Sequence, residues 1–431
     1  MKRLLSILIA AVMLLSAAPA FAFDVRSPRT TLLDLTGQTT QISNSSEGWS
    51  FVPAGSSGEA VLTLTNYGSY SAHSAPVSVP RNTRIVVNGN CYLDNVYMNE
   101  PYSVIKAPAD GYLKIEGTGT LNLYAEQYRG RCIEVTGAGG DTDVHERLYI
   151  IDLTVNCYSI EPGQHTAFSN EPCIFANSGM YIDNATVNTR FGKCGLWAYG
   201  YTPIGGVTED TAEEIVINNS TVNILNTSTE GTWQYANGIH TTFGKIRVSG
   251  SSSVNITAGS QSIYCYLSFT VDGGTVNVNS TPVSTADSAA LVYVGSLHLK
   301  NSMSSIYFKT TRYPNTKVLF CRNEYESTCQ SGVNLEIGSF SNGNFTTGQD
   351  SSNNGLPALK ASGQGTPSFI PGDANANGAV EVNDALITLR FAMGLIGTIP
   401  SFQAADVDGD GTLTVNDALK ILRAAMSLIT L

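Results

Sequence analysis

Two short segments near the end of the sequence carry the side chains best suited to bind a metal ion. The first runs from Asp373 to Asp384, and the second, 33 residues later, runs from Asp406 to Asp417. Both place oxygen-bearing side chains at loop positions 1, 3, 5 and 12 and a glycine at position 6. A calcium ion requires about six to eight oxygen ligands, which a tightly wound loop of this kind can supply. The spacing therefore predicts two calcium ions as cofactors.

The ligands of each predicted site follow from the loop positions. Position 7 contributes a backbone carbonyl, and position 9 often acts through a water molecule. The first site would consist of Asp373, Asn375, Asn377, Ala379, Glu381 and Asp384, and the second of Asp406, Asp408, Asp410, Thr412, Thr414 and Asp417. The second site has the greater number of carboxylates, and ligand charge favours tighter binding. We therefore expect the second site to fill first.

Each loop runs into the same helical pattern, A-L-x-x-L-R-x-A-M, and no helical pattern precedes either loop. Position 12 is Asp in both loops, where an ordinary EF-hand has Glu. This duplicated half-hand, over residues 372–431, resembles a type I dockerin. The resemblance implies a small α-helical, EF-hand-like module that docks to a cohesin on a scaffold or cell-surface protein in a calcium-dependent way.

The resemblance also implies which residues contact the cohesin. They occupy loop positions 10 and 11 and the start of the following helix: Val382, Asn383, Leu386 and Arg390 in the first repeat, and Val415, Asn416, Leu419 and Arg423 in the second. Many dockerins carry Ser-Thr at positions 10 and 11, so the class of cohesin stays open. Because both repeats carry the same residues, either repeat could face the partner. Alternatively, Leu386 and Leu419 pack inside the module.

A three-residue unit of the form Thr-Val-Asn recurs through the preceding part of the chain. Its asparagines are spaced by 22 to 35 residues: Asn122, Asn156, Asn188, Asn223, Asn255 and Asn277. Irregular spacing of this kind is typical of a solenoid whose coils differ in their loops. Three short strands per coil predict a mainly β fold, a right-handed parallel β-helix. The outward asparagines are expected to bond from rung to rung; the alternative is that their amides contact a glycan.

The third strand of each coil carries ring side chains at its outward position. Successive coils place Glu134, Phe175, Trp197, His240, Tyr264 and Val292 there. Phe175, Trp197, His240 and Tyr264, together with Trp233 and Tyr235 of a long loop, are therefore predicted to bind carbohydrate. The β-helix resembles pectate-lyase-like and carbohydrate-binding β-helix proteins in architecture, and the dockerin resemblance implies a component of a plant-cell-wall-degrading assembly. Together they imply a plant cell-wall polysaccharide as the ligand. The alternative is that a loop covers these rings.

The sequence contains no clear catalytic signature on the β-helix. Glycoside hydrolysis requires a pair of carboxylates, and outward acids are scarce on the predicted strands. Glu134 and His240, which flank the ring side chains, are the best catalytic candidates. A binding role is therefore preferred. A polysaccharide lyase or a glycoside hydrolase acting on O-glycosyl bonds remains an alternative, as does a structural or adhesion protein without a glycan ligand.

The chain divides into five predicted segments. Residues 1–22 read as a cleaved signal peptide, with Lys2 and Arg3 before an apolar stretch and Ala20-Phe21-Ala22 at its end. Residues 23–110 would form a β cap and the first coil, 111–342 the β-helix, 343–371 a Gly/Ser/Asn-rich linker and 372–431 the dockerin. The protein is therefore expected to be secreted, with no membrane span in the mature chain.

The net charge bears on the class of partner, and the cysteine content bears on disulfide formation. The formal net charge is −11, and only 14% of residues are charged, which argues against a nucleic-acid partner. The chain has 8 cysteines, an even number that permits disulfides in an exported protein. Cys321 and Cys329 form the best candidate pair, while buried free thiols are the alternative for the others.

Overall fold

Short runs rich in Val, Ile and Thr, with alternate side chains buried, favour strands that pack one face on a core. In the computed structural model, strands make up 57% of the structure and form one large, mostly parallel sheet, with helices near the C-terminus. The structure describes residues 32–55, 58–71, 74–95, 103–108, 111–125, 130–136, 147–159, 169–190, 192–200, 212–226, 237–258, 261–280, 291–310, 318–322, 328–341, 344–347, 358–363, 371–375, 379–393, 395–396, 399–408, 412–426 and 428–429.

Two strands, β2 (Ile42–Asn44) and β3 (Trp49–Val52), precede the repeating part of the sheet. The short strand β1 (Leu33–Asp34) already belongs to the repeats, because it pairs in parallel with Val77–Ser78. Strand β2 pairs antiparallel with β3, and β3 pairs antiparallel with β4 (Ala60–Thr65). Strand β3 therefore covers the outer edge of β4, whose backbone groups would otherwise be open to pairing with another chain.

Each repeat then contributes three strands, and each strand pairs in parallel with its counterpart in the next repeat. The first strands are β4, β7 (Thr83–Asn88), β10 (Leu113–Glu116), β13 (Arg147–Ile151), β16 (Gly179–Asp183), β19 (Glu214–Asn218), parts of β22 (Lys245–Ala258), β23 (Ile263–Ser280) and β24 (Val292–Leu299), and β27 (Thr328–Cys329). The second strands are β5 (Gly68–Ser71), β8 (Asn90–Asn95), β11 (Thr120–Ala125), β14 (Thr154–Tyr158), β17 (Thr186–Arg190), β20 (Thr221–Asn226), parts of β22 and β23, and β25 (Ser305–Thr310).

The third strands complete each repeat and carry the predicted ring positions. They are β6 (Val77–Ser78), β9 (Ile105–Pro108), β12 (Ile133–Thr136), β15 (Ser169–Ala176), β18 (Gly192–Ala198), β21 (Asn237–Thr241), parts of β23 and β24, and β26 (Leu319–Cys321). The inward side chains of all three strands are mostly Val, Ile and Leu, with some Ala, Cys, Phe and Met, and together they form one buried core. The predicted order of three strands per repeat is therefore confirmed.

Two predicted boundaries differ from the structure. The first strands β4 and β7 both lie within 23–110, so this range holds parts of two repeats. The range 343–371, predicted as a linker, includes β29 (Asn344–Thr347) and β30 (Ala358–Ser362). Strand β30 pairs antiparallel with β25 and with β28 (Asn334–Ser341) and buries Leu359 and Ala361. The range 343–371 was predicted as a linker because small and polar residues dominate it and the apolar run in β30 is only a few residues long.

The C-terminal segment forms a pair of equivalent helices. They are α1 (Val382–Ala392) and α3 (Val415–Ala425), with the short α2 (Phe402–Ala405) between them. Helices α1 and α3 pack against each other, and each begins with a capping box in which the residue at the third helical position bonds back to the cap. The residues 1–22 of the predicted signal peptide lie outside the described residues.

The predicted asparagine ladder is confirmed. Each amide Nδ2 donates to the Oδ1 of the asparagine one repeat earlier, over distances of 2.7 to 3.0 Å, in the chain Asn90, Asn122, Asn156, Asn188, Asn223, Asn255 and Asn277. All bonds run in the same direction, so the amide dipoles add along the sheet. The ladder therefore ties the second strands together outside the core.

Removing an amide from the middle of the ladder should destabilise the sheet. Asn188→Ala deletes one bond to Asn156 and one from Asn223, each 2.8 Å long, and we expect a loss of about 1–3 kcal/mol. The free energy of unfolding is measured by urea denaturation followed through tryptophan fluorescence. Asn277→Ala, which has only the bond to Asn255 among the ladder residues, is the matched control and should cost clearly less. Equal losses would contradict a cooperative ladder.

Candidate functional site

Three aspartates of the second acidic loop converge on one point. Carboxylate oxygens of Asp406, Asp408 and Asp417 lie within 4.8 Å of one another, so this group could hold a metal ion. Asp417 is fully buried, and its Oδ2 accepts bonds of 2.9 Å from the backbone N–H and the hydroxyl of Thr414. Its Oδ1 is buried without a hydrogen-bond partner. A buried carboxylate oxygen left in this state costs free energy unless a cation meets it, so the residues fit a metal site.

The first loop arranges its corresponding carboxylate differently. Asp384 is also fully buried, but its Oδ1 accepts a bond of 2.9 Å from the Asn375 N–H and its Oδ2 one of 2.8 Å from the Glu381 N–H. Both oxygens of Asp384 therefore already have a partner. The two loops are equivalent in sequence position but differ in the availability of this ligand. Which site fills first stays a prediction.

The remaining predicted ligands have varied surroundings. Asp373 is 5% exposed, whereas Ala379 and Thr412 are exposed. Glu381 and Thr414 are the N-cap residues of α1 and α3. Lys420 Nζ lies 2.9 Å from Asp408 Oδ2, so an internal cation partly balances the acidic group. Asn377 and Asp410 lie outside the described residues.

All eight residues predicted to contact a cohesin are exposed on the helix pair. The apolar ones are exposed to an unusual extent for their type, at 58% for Val382, 52% for Leu386, 58% for Val415 and 43% for Leu419. The alternative that the two leucines pack inside the module is therefore wrong. Sequence reasoning missed a further exposed set that repeats in the same register: Met393 with Met426, and Leu395 with Leu428.

The predicted ring side chains form a continuous strand row. Phe175, Trp197, His240 and Tyr264 occupy neighbouring positions in register. One prediction was wrong: Val292 points into the core, and Tyr293 takes the outward place beside Tyr264. Phe320 extends the row. Trp233 and Tyr235 lie outside the described residues.

The rings of the strand row stack face to face over most of its length. The centroids of His240, Tyr264, Tyr293 and Phe320 are 4.5, 5.3 and 4.9 Å apart, with interplanar angles of 11°, 7° and 19°. Rings lying flat on a sheet could not approach so closely, so these rings stand on edge and cover each other's faces. Trp197 is tilted by 49° to His240, and Phe175 is only 8% exposed. The row therefore offers mainly ring edges and hydroxyls to solvent.

The two catalytic candidates are both held by neighbours. Glu134 Oε1 lies 2.8 Å from Arg131 Nη1, and its Oε2 accepts a short bond from the Ser103 hydroxyl. Arg131 also pairs with Glu171 at 2.6 Å and lies over the Phe175 ring, 4.4 Å from its centroid. His240 Nδ1 lies 2.9 Å from the Asn237 amide nitrogen. These contacts hold both side chains in place, which is a structural role.

A second group of rings lies on the second strands and was not singled out in the sequence. The ring centroids of Tyr92, Tyr124 and Tyr158 are 4.9 and 4.7 Å apart. Asp94 stands in register with Tyr124 and is 5% exposed. The Tyr92 hydroxyl donates to its Oδ2 at 2.8 Å, and its Oδ1 is buried without a partner. Burial outweighs the tyrosine bond and raises the pKa of Asp94 to about 6.

None of the 8 cysteines, all of which lie among the described residues, forms a disulfide, and this includes the candidate pair Cys321 and Cys329. Six are buried, as expected for small core residues.

No family model, no curated protein and no solved structure matches this chain. Among the described residues, no helix combines the length and the apolar character needed to cross a membrane.

Proposed function

We propose that the C-terminal segment is a calcium-dependent docking module of the dockerin type, which binds a cohesin on a scaffold or cell-surface protein. The observation that carries the proposal is the convergence of Asp406, Asp408 and Asp417 around a buried, unpaired carboxylate oxygen. Calcium fits this group because it prefers oxygen ligands from carboxylates and carbonyls. The ion would neutralise the three acids and hold the start of α3 beside the preceding loop.

The exposed apolar residues of α1 and α3 support the docking surface. They repeat after 33 residues, so the module presents two similar faces, one per helix. Exposed apolar side chains at this density cost free energy in water and mark an interaction surface. The partner would bury one face at a time.

We further propose that the repeating sheet is a right-handed parallel β-helix that binds plant cell-wall polysaccharide. Three strands per repeat, each paired in parallel with its counterpart, support this architecture. The aromatic side chains on its outer surface support a saccharide ligand. The chain would then be a secreted component that a scaffold holds on a polysaccharide. A binding role is preferred to catalysis because Glu134 is already engaged by Arg131 and Ser103.

Substitutions on both docking faces test the proposed docking function. Leu386→Asp and Leu419→Asp each place a charge on one face, and we expect each single variant to retain cohesin binding within a few-fold. The double variant should lose cohesin binding by more than about 100-fold, because neither face then remains apolar. At about 1.4 kcal/mol per factor of ten, this loss is about 3 kcal/mol. Binding is measured by surface plasmon resonance against a panel of cohesins, with calcium and then with chelator.

Leu335→Asp is the matched control, because Leu335 is equally exposed but lies on strand β28. It should bind as the parent chain does. Undiminished binding by the double variant, or binding by the parent that persists in chelator, would contradict the proposed surface. Failure of the parent to bind any cohesin of the panel would count against the dockerin assignment.

A further inference from the structure

A further aromatic row, distinct from the strand row and from the tyrosines of the second strands, follows the ends of the third strands. We call it the corner row. It consists of Tyr199, Phe243 and Tyr266, with Arg322 at its end. Tyr199 directly follows β18, and the Phe243 N–H donates to the Tyr199 carbonyl at 3.0 Å, so the backbone fixes their spacing. The ring centroids are 5.5 Å apart between Tyr199 and Phe243 and 5.6 Å apart between Phe243 and Tyr266.

The rings of the corner row meet edge to face, unlike those of the strand row. The interplanar angles are 75° and 65°. An edge-to-face contact covers the face of one ring only, whereas a stacked contact covers a face of both. The corner row therefore keeps more ring faces free. Tyr199 is 44% exposed, which makes it the only exposed aromatic side chain among those whose burial the structure describes.

Arg322 supplies a fixed group of hydrogen-bond donors at the end of the corner row. Its guanidinium lies 4.0 Å from the centroid of the Tyr266 ring, and its Nη2 donates to the Tyr266 carbonyl at 2.6 Å. Arg322 is exposed, and no carboxylate among the described residues forms an ion pair with it. A guanidinium has five N–H donors, so several are available to the oxygen atoms of a ligand.

We infer that the corner row is a binding site for a neutral polysaccharide chain, with a sugar ring stacked on Tyr199 and hydroxyl or ether oxygens bonded to Arg322. This inference rests on the proposed polysaccharide-binding function and assigns it to residues outside the strand row. The ligand must offer flat C–H faces to the rings and acceptors to the guanidinium, which a pyranose chain does. Successive rings are about one rung apart, or about 4.8 Å along the sheet, so the site favours a chain over a single sugar.

The charge of the protein favours a neutral ligand over an acidic one. The chain carries a formal net charge of −11, and such a field opposes the approach of a polyanion. One exposed arginine does not reverse this field. Stacking and hydrogen bonds to neutral oxygens depend little on salt, whereas binding of a polyanion through a cation weakens as salt rises.

Retention of the full chain on insoluble xylan, on cellulose and on immobilised pectin tests the site. We expect retention on one of the neutral glycans that is unchanged at about 0.5 M NaCl, where charges are screened within a few ångströms. Tyr199→Ala should weaken it by about tenfold, equivalent to the loss of one good stacking contact. Arg322→Gln should weaken it by a smaller factor. Tyr264→Ala, in the strand row, and Tyr181→Ala, on a first strand, are matched controls and should bind as the parent does.

Each other outcome decides against a specific part of the inference. Loss of retention in Tyr264→Ala with full retention in Tyr199→Ala would assign the ligand to the strand row, overturning the corner row but leaving polysaccharide binding intact. Retention on pectin alone, abolished by salt, would overturn the neutral ligand. Failure of the parent to be retained on any of the three glycans would overturn both the inference and the proposed polysaccharide-binding function. Tryptophan fluorescence of each variant verifies that the sheet is folded.

Discussion

Asp94→Asn should remove the pH dependence that this one carboxyl imposes on the stability of the sheet. In the parent chain the carboxyl is buried under neighbouring tyrosines, and its pKa is raised to about 6 from an ordinary value of 3.8. The native state therefore binds this proton more tightly than the unfolded state does. Its contribution to stability is fully present below the unfolded pKa and is lost as the pH rises through about 6.

The size of the effect follows from the same shift. Two pKa units correspond to about 3 kcal/mol. Because pH 4 lies just above the ordinary pKa, part of this contribution is already lost there. The difference in the free energy of unfolding between Asp94→Asn and the parent should therefore move by about 2 kcal/mol in favour of the variant between pH 4 and pH 7.5. Comparing this difference at two pH values cancels any constant cost of the new amide. The measurement is urea denaturation at each pH, followed by tryptophan fluorescence.

Asn188→Ala is the control for the Asp94 prediction, because it lies on the same sheet and changes no titratable group. Its difference from the parent should stay nearly constant over the same pH range. If Asp94→Asn behaves like this control, the carboxyl is better hydrated than its 5% exposure implies, and the account of the tyrosine group is wrong.

Removing calcium should unfold the C-terminal helix pair while leaving the sheet intact. The pair has a small core that includes Ala385, Ala418 and Ile421, so metal binding supplies much of its folding free energy. A chelator should abolish the helical contribution to the far-ultraviolet circular dichroism. Tryptophan fluorescence should not change, because all 3 tryptophans precede residue 343. The two signals therefore report the two parts of the chain separately.

Variants of the two loops refine the calcium prediction. Asp417→Ala removes the carboxylate whose Oδ1 is buried and unpaired, and we expect it to raise the calcium concentration needed for folding by about 100-fold or more. Asp384→Ala, in the equivalent position of the first loop, is the matched control. It should reduce the affinity for the more tightly bound calcium ion less than Asp417→Ala does. A helical signal that survives chelation in the parent would contradict metal-coupled folding.

The arrangement of the repeats could be predicted because it depends on a local pattern. Alternation of inward Val with outward Thr and Asn defines the second strands. The same pattern recurs from Asn122 to Asn277, where the amides bond as expected, and it ends at the next rung, where Tyr307 is in register with Asn277. The third strands follow from the same alternation. The prediction that Val292 faces outward was wrong by one residue. Leu291, Val292 and Val294 form an apolar run, and the sequence of this run does not reveal which side chains face the core.

Features that depend on contacts between distant residues could not be predicted in this way. The face-to-face stacking of Tyr264 on Tyr293 depends on side-chain angles that the sequence does not encode locally. Asp94 resembles any turn residue until Tyr92 and the next rung cover it. The corner row was missed because Tyr199 and Phe243 follow their strands, and Tyr266 lies where the strand register shifts between Cys265 and Ser268. The acidic loops are the opposite case, since their ligands lie close together in the chain.

Isothermal titration of calcium into the full chain, after removal of bound metal by chelation, tests the central claim most directly. The account predicts uptake of two ions per chain, with the tighter one lost in Asp417→Ala and the weaker one lost in Asp384→Ala. Absence of calcium uptake by the parent, or an equal effect of both substitutions on the tighter ion, would contradict it.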